Sequence, residues 1–194
     1  MEADIALLVN SDPKRARDMA ENALALAGTL GDRNLEVVGM AILGSALIAS
    51  GQVDEGVRRL DEAAALAVGE EFSEVWAPGW ALCHTVMACA WVGEFSRASQ
   101  WCRAMHAFCV TWSARHFFGI YRTAYGTVLA THGDWLTAEQ ELTSAMEDLH
   151  AARPGVAATT AVRLAQLRVR QGRVEEARRL FETALPMGQA VVAL

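Results

Sequence analysis

Four glycines set the frame of this chain: Gly51 in SGQVDEG, Gly93 in VGEFSRA, Gly133 in HGDWLTA and Gly172 in QGRVEEA. They stand 42, 40 and 39 residues apart, and one interval before Gly51 the segment NSDPKRA puts Ser11 at the same place. The residues after each turn also recur. Five residues on comes a small side chain (Ala16, Gly56, Ala98, Ala138, Ala177). Nine on comes a mostly apolar one (Ala20, Leu60, Cys102, Leu142, Phe181), and twelve on Ala23, Ala63, Met105, Ala145 and Ala184. Steps of four and three trace one face of a helix. A period of about 40 residues means that each unit is one supersecondary element that buries its apolar face only by stacking on its neighbours.

The helix before each turn carries its own signature. Gly44 and Gly126 lie seven residues upstream of Gly51 and Gly133, each after a larger residue (Leu43, Tyr125). The last unit has Leu164-Ala165 there, and the third departs with Thr85-Val86. A glycine inside a helix costs about 1 kcal/mol against alanine, so its return at one phase implies close approach by a neighbouring helix. Punctuation at 30–34 (LGDRN), 68–73 (VGEEFS) and 152–155 (ARPG) divides residues 1–194, read as a single repeat domain, into units of about 1–30, 31–70, 72–112, 114–152 and 155–190. The join at 110–116 has neither Gly nor Pro.

Leu43-Gly44, the turn Gly133-Asp134-Trp135 and the series Ala177, Phe181, Ala184 resemble the tetratricopeptide repeat (TPR), over nearly the whole chain. The resemblance implies an all-α, right-handed α-α solenoid of about five helix-turn-helix units, with the first helix of each lining a concave groove. The period is longer than the 34 residues of that family. HGDWLTAEQELTSAMEDL, the Arg153-Pro154 break and RLAQLRVRQGRVEEARRLF look more like the repeat and sensor region of large LuxR-type (MalT-like) bacterial transcriptional regulators. Those regulators carry an NTPase domain and a helix-turn-helix. Lys14 is the only lysine and no Gly-x-x-x-x-Gly-Lys precedes it, so no P-loop is present. The resemblance thus implies either a piece of a larger regulator or a free-standing repeat protein.

Composition narrows the function classes. A formal charge of −6 and a pI near 5.4 argue against direct nucleic-acid binding by this segment, which calls for clustered Lys and Arg. Sixteen arginines to one lysine, with abundant alanine, match a GC-rich bacterial genome. The start MEADIALLVN lacks a cationic leader. Cys83, Cys89, Cys102 and Cys109 crowd into one stretch, unlike a disulfide framework, and are expected as reduced thiols in a cytoplasm. Residues 37–53 and 75–93 carry no charge unless His84 is protonated, and end in Gly followed by polar residues. They are expected as helices buried on most of their circumference rather than membrane spans.

The reactive residue types each have a plainer account. Cys102, His106 and Cys109 fall at i, i+4 and i+7, with Cys83 and Cys89 in the partner helix, but no CxxC or CxxH pair marks a zinc site. Neighbours such as Cys83 and His84 point about 100° apart on a helix. Glu70, Glu71, Glu74, Glu175 and Glu176 sit at helix starts, where acids complement the dipole. No metal, cofactor or catalytic residue is expected, and the chain does not read as an enzyme.

The aromatic cluster carries the most information: Trp76, Trp80, Trp91, Trp101 and Trp112, with Trp135 after it. Registered on the turns, the first helices offer Val38, Ala41, Ser45 and Ile48 in the second unit, and Trp80, Cys83, Met87 and Trp91 in the third. The fourth offers Ile120, Thr123, Thr127 and Thr131, and the fifth Thr159, Val162, Gln166 and Arg170. The expected site is a groove, aromatic in the middle, hydroxyl-lined next and cationic at the end, with Trp80, Cys83, Met87, Trp91, Thr123, Thr127, Gln166 and Arg170 touching the partner. It suits a protein or peptide partner or a small-molecule inducer. The same side chains could instead fill the solenoid interior or form a homodimer interface. The expected function is a non-catalytic interaction or ligand-sensing module. The alternatives are a homodimerisation scaffold and a thiol- or metal-dependent enzyme.

Overall fold

The computed structural model describes residues 2–4, 6–7, 11–69, 72, 74–113, 115–150 and 154–192, with side chains undescribed at 4, 115–116, 150, 154–156 and 186–192. The regular elements among them are helices. A short α1 (Glu2–Asp4) precedes α2 (Pro13–Leu30), α3 (Arg33–Ala49), α4 (Val53–Gly69), α5 (Trp76–Trp91) and α6 (Phe95–Thr111). Then come α7 (Arg115–His132), α8 (Trp135–His150), α9 (Pro154–Arg170) and α10 (Val174–Val192). The chain divides into two compact units, Met1–Trp112 and Ser113–Leu194. The division falls in the stretch where the sequence has no Gly or Pro. In the first unit α3 packs on α2, α4 and α5, and α5 on α4 and α6. In the second α8 packs on α7 and α9, α9 on α10, and α7 touches α9.

The aligned turns share one backbone solution. Gly51, Gly93, Gly133 and Gly172 have φ of 85°, 84°, 89° and 78°, and Ser11, at the glycine place of the first turn, has φ 51°. The left-handed conformation suits Gly and costs a residue with a Cβ about 1 kcal/mol. The next residue then closes the preceding helix. Gln52 donates to the Leu47 carbonyl (2.9 Å), Glu94 to Cys89 (2.9 Å), Asp134 to Leu129 (3.1 Å) and Arg173 to Arg168 (2.8 Å). This is the six-to-one bond of a Schellman cap, which satisfies a carbonyl the helix end would leave bare.

Helix pairing explains the small residues. A Cβ on Gly44 would sit 2.7 Å from Leu60 Cγ and 2.8 Å from the Gly56 carbonyl, and one on Gly126 would sit 2.7 Å from Leu142 Cγ. The glycine upstream of the turn and the leucine nine residues after it are therefore one fitted pair. Where the glycine place is filled by Val86, the leucine place holds the smaller Cys102, and both are fully buried. Close-packed interiors demand such compensation in volume. In the last unit the pair is Ala165 and Phe181, and Phe181 remains 39% exposed.

The two uncharged stretches become α3 and α5. From Val37 to Ile48 only Met40 escapes full burial, and no described helix is long and apolar enough to cross a membrane. The break at 152–155 and the acidic pair Glu70–Glu71 lie largely or wholly outside the described residues.

Candidate interaction surfaces

The eight expected partner-contacting residues fall four and four on the two units, and each set has its own surroundings. In the first unit α5 carries no charged residue. Trp76, Trp80, Met87 and Trp91 lie within about 60° of arc on it. The indoles of Trp76 and Trp80 stack with centroids 5.7 Å apart and planes 10° from parallel. Trp80 meets the His84 ring edge-on at 5.6 Å. His84 Nδ1 lies 3.0 Å from Ser45 Oγ, a buried bond that ties α5 to α3. Beyond this anchored end the helix is bare: Met87 is 51% and Trp91 74% exposed. Cys83, on the same arc but short, is only 4% exposed and offers a partner almost no surface. Val38, Ala41, Ser45 and Ile48 are likewise buried. The α3 positions expected to line a groove are packing positions: Ser45 bonds His84 of α5, and Ile48 packs against Gly56 of α4.

Two of the remaining tryptophans, Trp101 and Trp135, are anchored by hydrogen bonds. Trp101 Nε1 donates to Asp61 Oδ1 at 2.8 Å, and the other carboxylate oxygen takes Arg97, so α4 and α6 are clamped together. In the second unit Trp135 Nε1 donates to the Ala130 carbonyl near the end of α7 at 3.2 Å. Trp112 borders an apolar depression of about 240 Å³ between the ends of α4 and α6, where Ala67, Val68, Phe72 and Phe108 form the walls. That is smaller than the 300–1,000 Å³ of ordinary small-molecule pockets.

In the second unit the expected hydroxyl face exists, but its protons are committed. Thr127 donates to the Thr123 carbonyl at 2.7 Å and Thr131 to that of Thr127 at 2.9 Å. Thr123 donates to the Gly119 carbonyl at 2.8 Å and shares a 2.7 Å bond with Thr160, which ties α7 to α9. Each threonine satisfies its own helix, which leaves Thr127 and Thr131 only lone pairs to offer. Gln166 and Arg170 are exposed. Gln166 Oε1 accepts from Arg163 at 3.2 Å, and Arg170 reaches the Ala130 carbonyl at 3.4 Å.

Three of the four thiols are poor nucleophiles and ligands. Burial pushes Cys89 and Cys102 up to about 12 and Cys109 to about 11, so they are held as protonated, packed side chains. Cys102 and Cys109 are fully buried whereas His106 between them is exposed, so the three do not converge. No group of three or more His, Cys, Asp or Glu among the described residues is placed to hold a metal ion. Glu175 and Glu176 at the start of α10 pair with Arg178 and Arg173, as helix-start acids do.

No known family's sequence profile matches this chain, and no curated protein matches it either. Among solved structures, the chain is similar to BtubC (BKLC) from P. vanneervenii, at 15% identity and a TM-score of 0.71, over 99% of this chain and 79% of that one. It is also similar to a Podosopora anserina protein named for kinesin light chain and its nearly identical TPR-like repeats, at 16% identity, TM-score 0.64, and 95% and 91% coverage. MamA aligns at 16% identity with a TM-score of 0.55, over 99% of this chain and 97% of that one. At these identities the likeness concerns the fold, and with the recurring turns and fitted helix pairs it gives the chain an all-helical, TPR-like repeat fold.

Proposed function

We propose that this chain is a non-catalytic interaction module that takes a helical segment of a protein partner on the bare face of α5. One observation carries the reading: an uncharged helix, fixed at one end by the Trp76–Trp80 stack and the His84–Ser45 bond, leaves Met87 and Trp91 largely in water. Exposed Trp and Met side by side supply adaptable apolar area at low entropic cost, and an amphipathic helix presents matching anchors at i, i+4 and i+7. The small size of the apolar depression by Trp112 favours a peptide over a small inducer. The second unit, taken by itself, offers acceptors and a cation to polar groups through Thr123, Thr127, Gln166 and Arg170. In this proposal the module works in a bacterial cytoplasm as part of a LuxR-type transcriptional regulator. Its partner acts by binding one conformation of the array better than another.

The test is to pan a display library of short amphipathic helices against the whole chain. The recovered peptides are then measured on Met87→Ala and Trp91→Ala. The proposal expects binders that lose about thirtyfold in affinity on Trp91→Ala, the size of an interface hot spot, with an unaltered melting curve. A library that yields no binder, or binders indifferent to both substitutions, overturns it.

A further inference from the structure

The outer side of α10 carries an apolar stripe. Val174, Phe181 and Leu185 are all exposed, and with Arg178 they fall within about 60° of arc. Phe181 and Leu185 stand nine and thirteen residues after the turn glycine Gly172. On α8 the same places hold Leu142, fully buried, and Met146, which packs beside Ala158 and Ala161 of α9. On α4 they hold Leu60 and Ala64, both fully buried. Positions that lie under a packed helix on α4 and α8 therefore face water on α10. A repeat end left in water needs a polar outer face, and here a phenyl ring and two aliphatic side chains occupy it. Charge lines one edge of the stripe. Arg178 pairs along the helix with Glu175 at 3.1 Å and with Glu182, and all three groups are exposed. Such pairs contribute little, so they are exchanged for others at little cost.

We infer that this stripe is a docking surface for α10 of a second copy of the chain, packed antiparallel about a two-fold axis. The inference stands apart from the α5 proposal. The stripe is complementary to itself. Turned end for end, Val174 lies opposite Leu185 of the second copy and Arg178 opposite its Phe181, and symmetry makes each contact twice. In that register Glu182 stands one residue, about 1.5 Å of helix rise, from the level of Arg178 of the second copy. The two-fold axis keeps the charged edges of both helices on the same side. The Arg178 stem therefore covers the opposite phenyl ring while its guanidinium meets the opposite Glu182. The apolar stripe supplies contact area, and the two reciprocal ion pairs fix the register. A foreign helix would have to match both the apolar spacing and the order of charges, whereas α10 already carries both. Three turns of helix make a contact below the standard interface size, so the dimer is weak, with a Kd of about 10 µM.

The experiment is sedimentation velocity of the whole chain at concentrations either side of that Kd, on the parent, on Arg178→Glu, on Glu182→Arg and on an equimolar mixture of the two variants. The parent is expected to pass from monomer to dimer. Each variant alone sets like charges against each other at both reciprocal contacts, and its dimerisation should weaken about tenfold or more. In the mixture each contact again joins an acid to an arginine, so the mixed dimer should form with the parent's affinity. Loss of a structural role cannot produce that rescue. Both side chains are exposed, so the melting curve of each variant at low concentration should match the parent's. A parent that stays monomeric, variants that dimerise as the parent does, or a mixture no tighter than either variant alone overturns the inference. Peptide binding on α5 is unaffected by any of these outcomes.

Discussion

The α5 face of the first unit and the α7–α9 face of the second are built from the same position of the same repeat, yet share almost no chemistry. On α5 the side chains are Trp76, Trp80, Met87 and Trp91, with no charge on the helix. On α7 and α9 they are threonines whose protons are committed to backbone, with two arginines that have no carboxylate partner among the described residues. The scaffold is indifferent to this difference because it is held by other positions, the turn residues at positive φ and the fitted pairs Gly44–Leu60 and Gly126–Leu142. A repeat separates the residues that stack from the residues that face outward, so one face can change while the fold stays.

Breaking the scaffold should have the largest effect and should blur the contrast. A methyl group at Gly44 meets the Gly56 carbonyl and Leu60 at under 3 Å. Gly44→Ala is therefore expected to destabilise the first unit by about 3 kcal/mol, as overpacking does, read as a fall in the denaturant midpoint. A shift under about 0.5 kcal/mol, the size of an ordinary surface change, would mean that α3 and α4 are not in backbone contact.

Acid should separate the two units. Hydrogen bonding and charge from Arg168, then Gln171 and Arg173, hold the Glu139 carboxyl down to about 2. Its pKa is lower folded than unfolded, so its contribution is complete above about pH 4.3 and is lost as pH falls toward 2. The expected loss is up to about 2 kcal/mol, felt by the second unit. Hydrogen exchange of α8 and α9 amides between pH 5 and 2.5 should show it in the parent and not in Glu139→Gln. Equal pH dependence in both proteins would refute the assignment.

Smaller effects sharpen the comparison. Ser11→Gly relieves a left-handed serine and should raise stability by about 1 kcal/mol, measured by thermal melting. Thr127→Val, which removes a hydroxyl bonded within its own helix, should change stability by less than about 0.5 kcal/mol. A larger loss would show the hydroxyl bonded elsewhere.

Much of the scaffold is legible in the sequence because a repeat writes its rules several times. Ser11 illustrates this: alignment to the turn glycines assigns it their conformation, and it has positive φ. The α3 face is misjudged from sequence because register gives a side chain's direction but not what comes to lie over it. Val38, Ala41 and Ser45 are buried on a helix that packs on α2, α4 and α5, and Ser45 bonds His84 of α5. The roles of Trp101 and His84 escape a reading by register because their partners, Asp61 and Ser45, lie about one repeat away. A search for polar pairs at that separation finds both. The absence of acids from α7 and α9 is readable outright, as is the place of Arg163 beside Arg170. A whole-chain charge of −6 hides it, because a sum says nothing of the distribution among helices.

The six tryptophans are their own reporters of where a partner sits. The chain is labelled with 5-fluorotryptophan, assigned by single Trp→Phe variants and titrated with the helices recovered by panning while fluorine spectra are recorded. Docking on α5 predicts that the Trp76, Trp80 and Trp91 resonances move while those of Trp101 and Trp135, pinned by Asp61 and the Ala130 carbonyl, stay in place. Movement of Trp101 or Trp135 with Trp91 unchanged would contradict it.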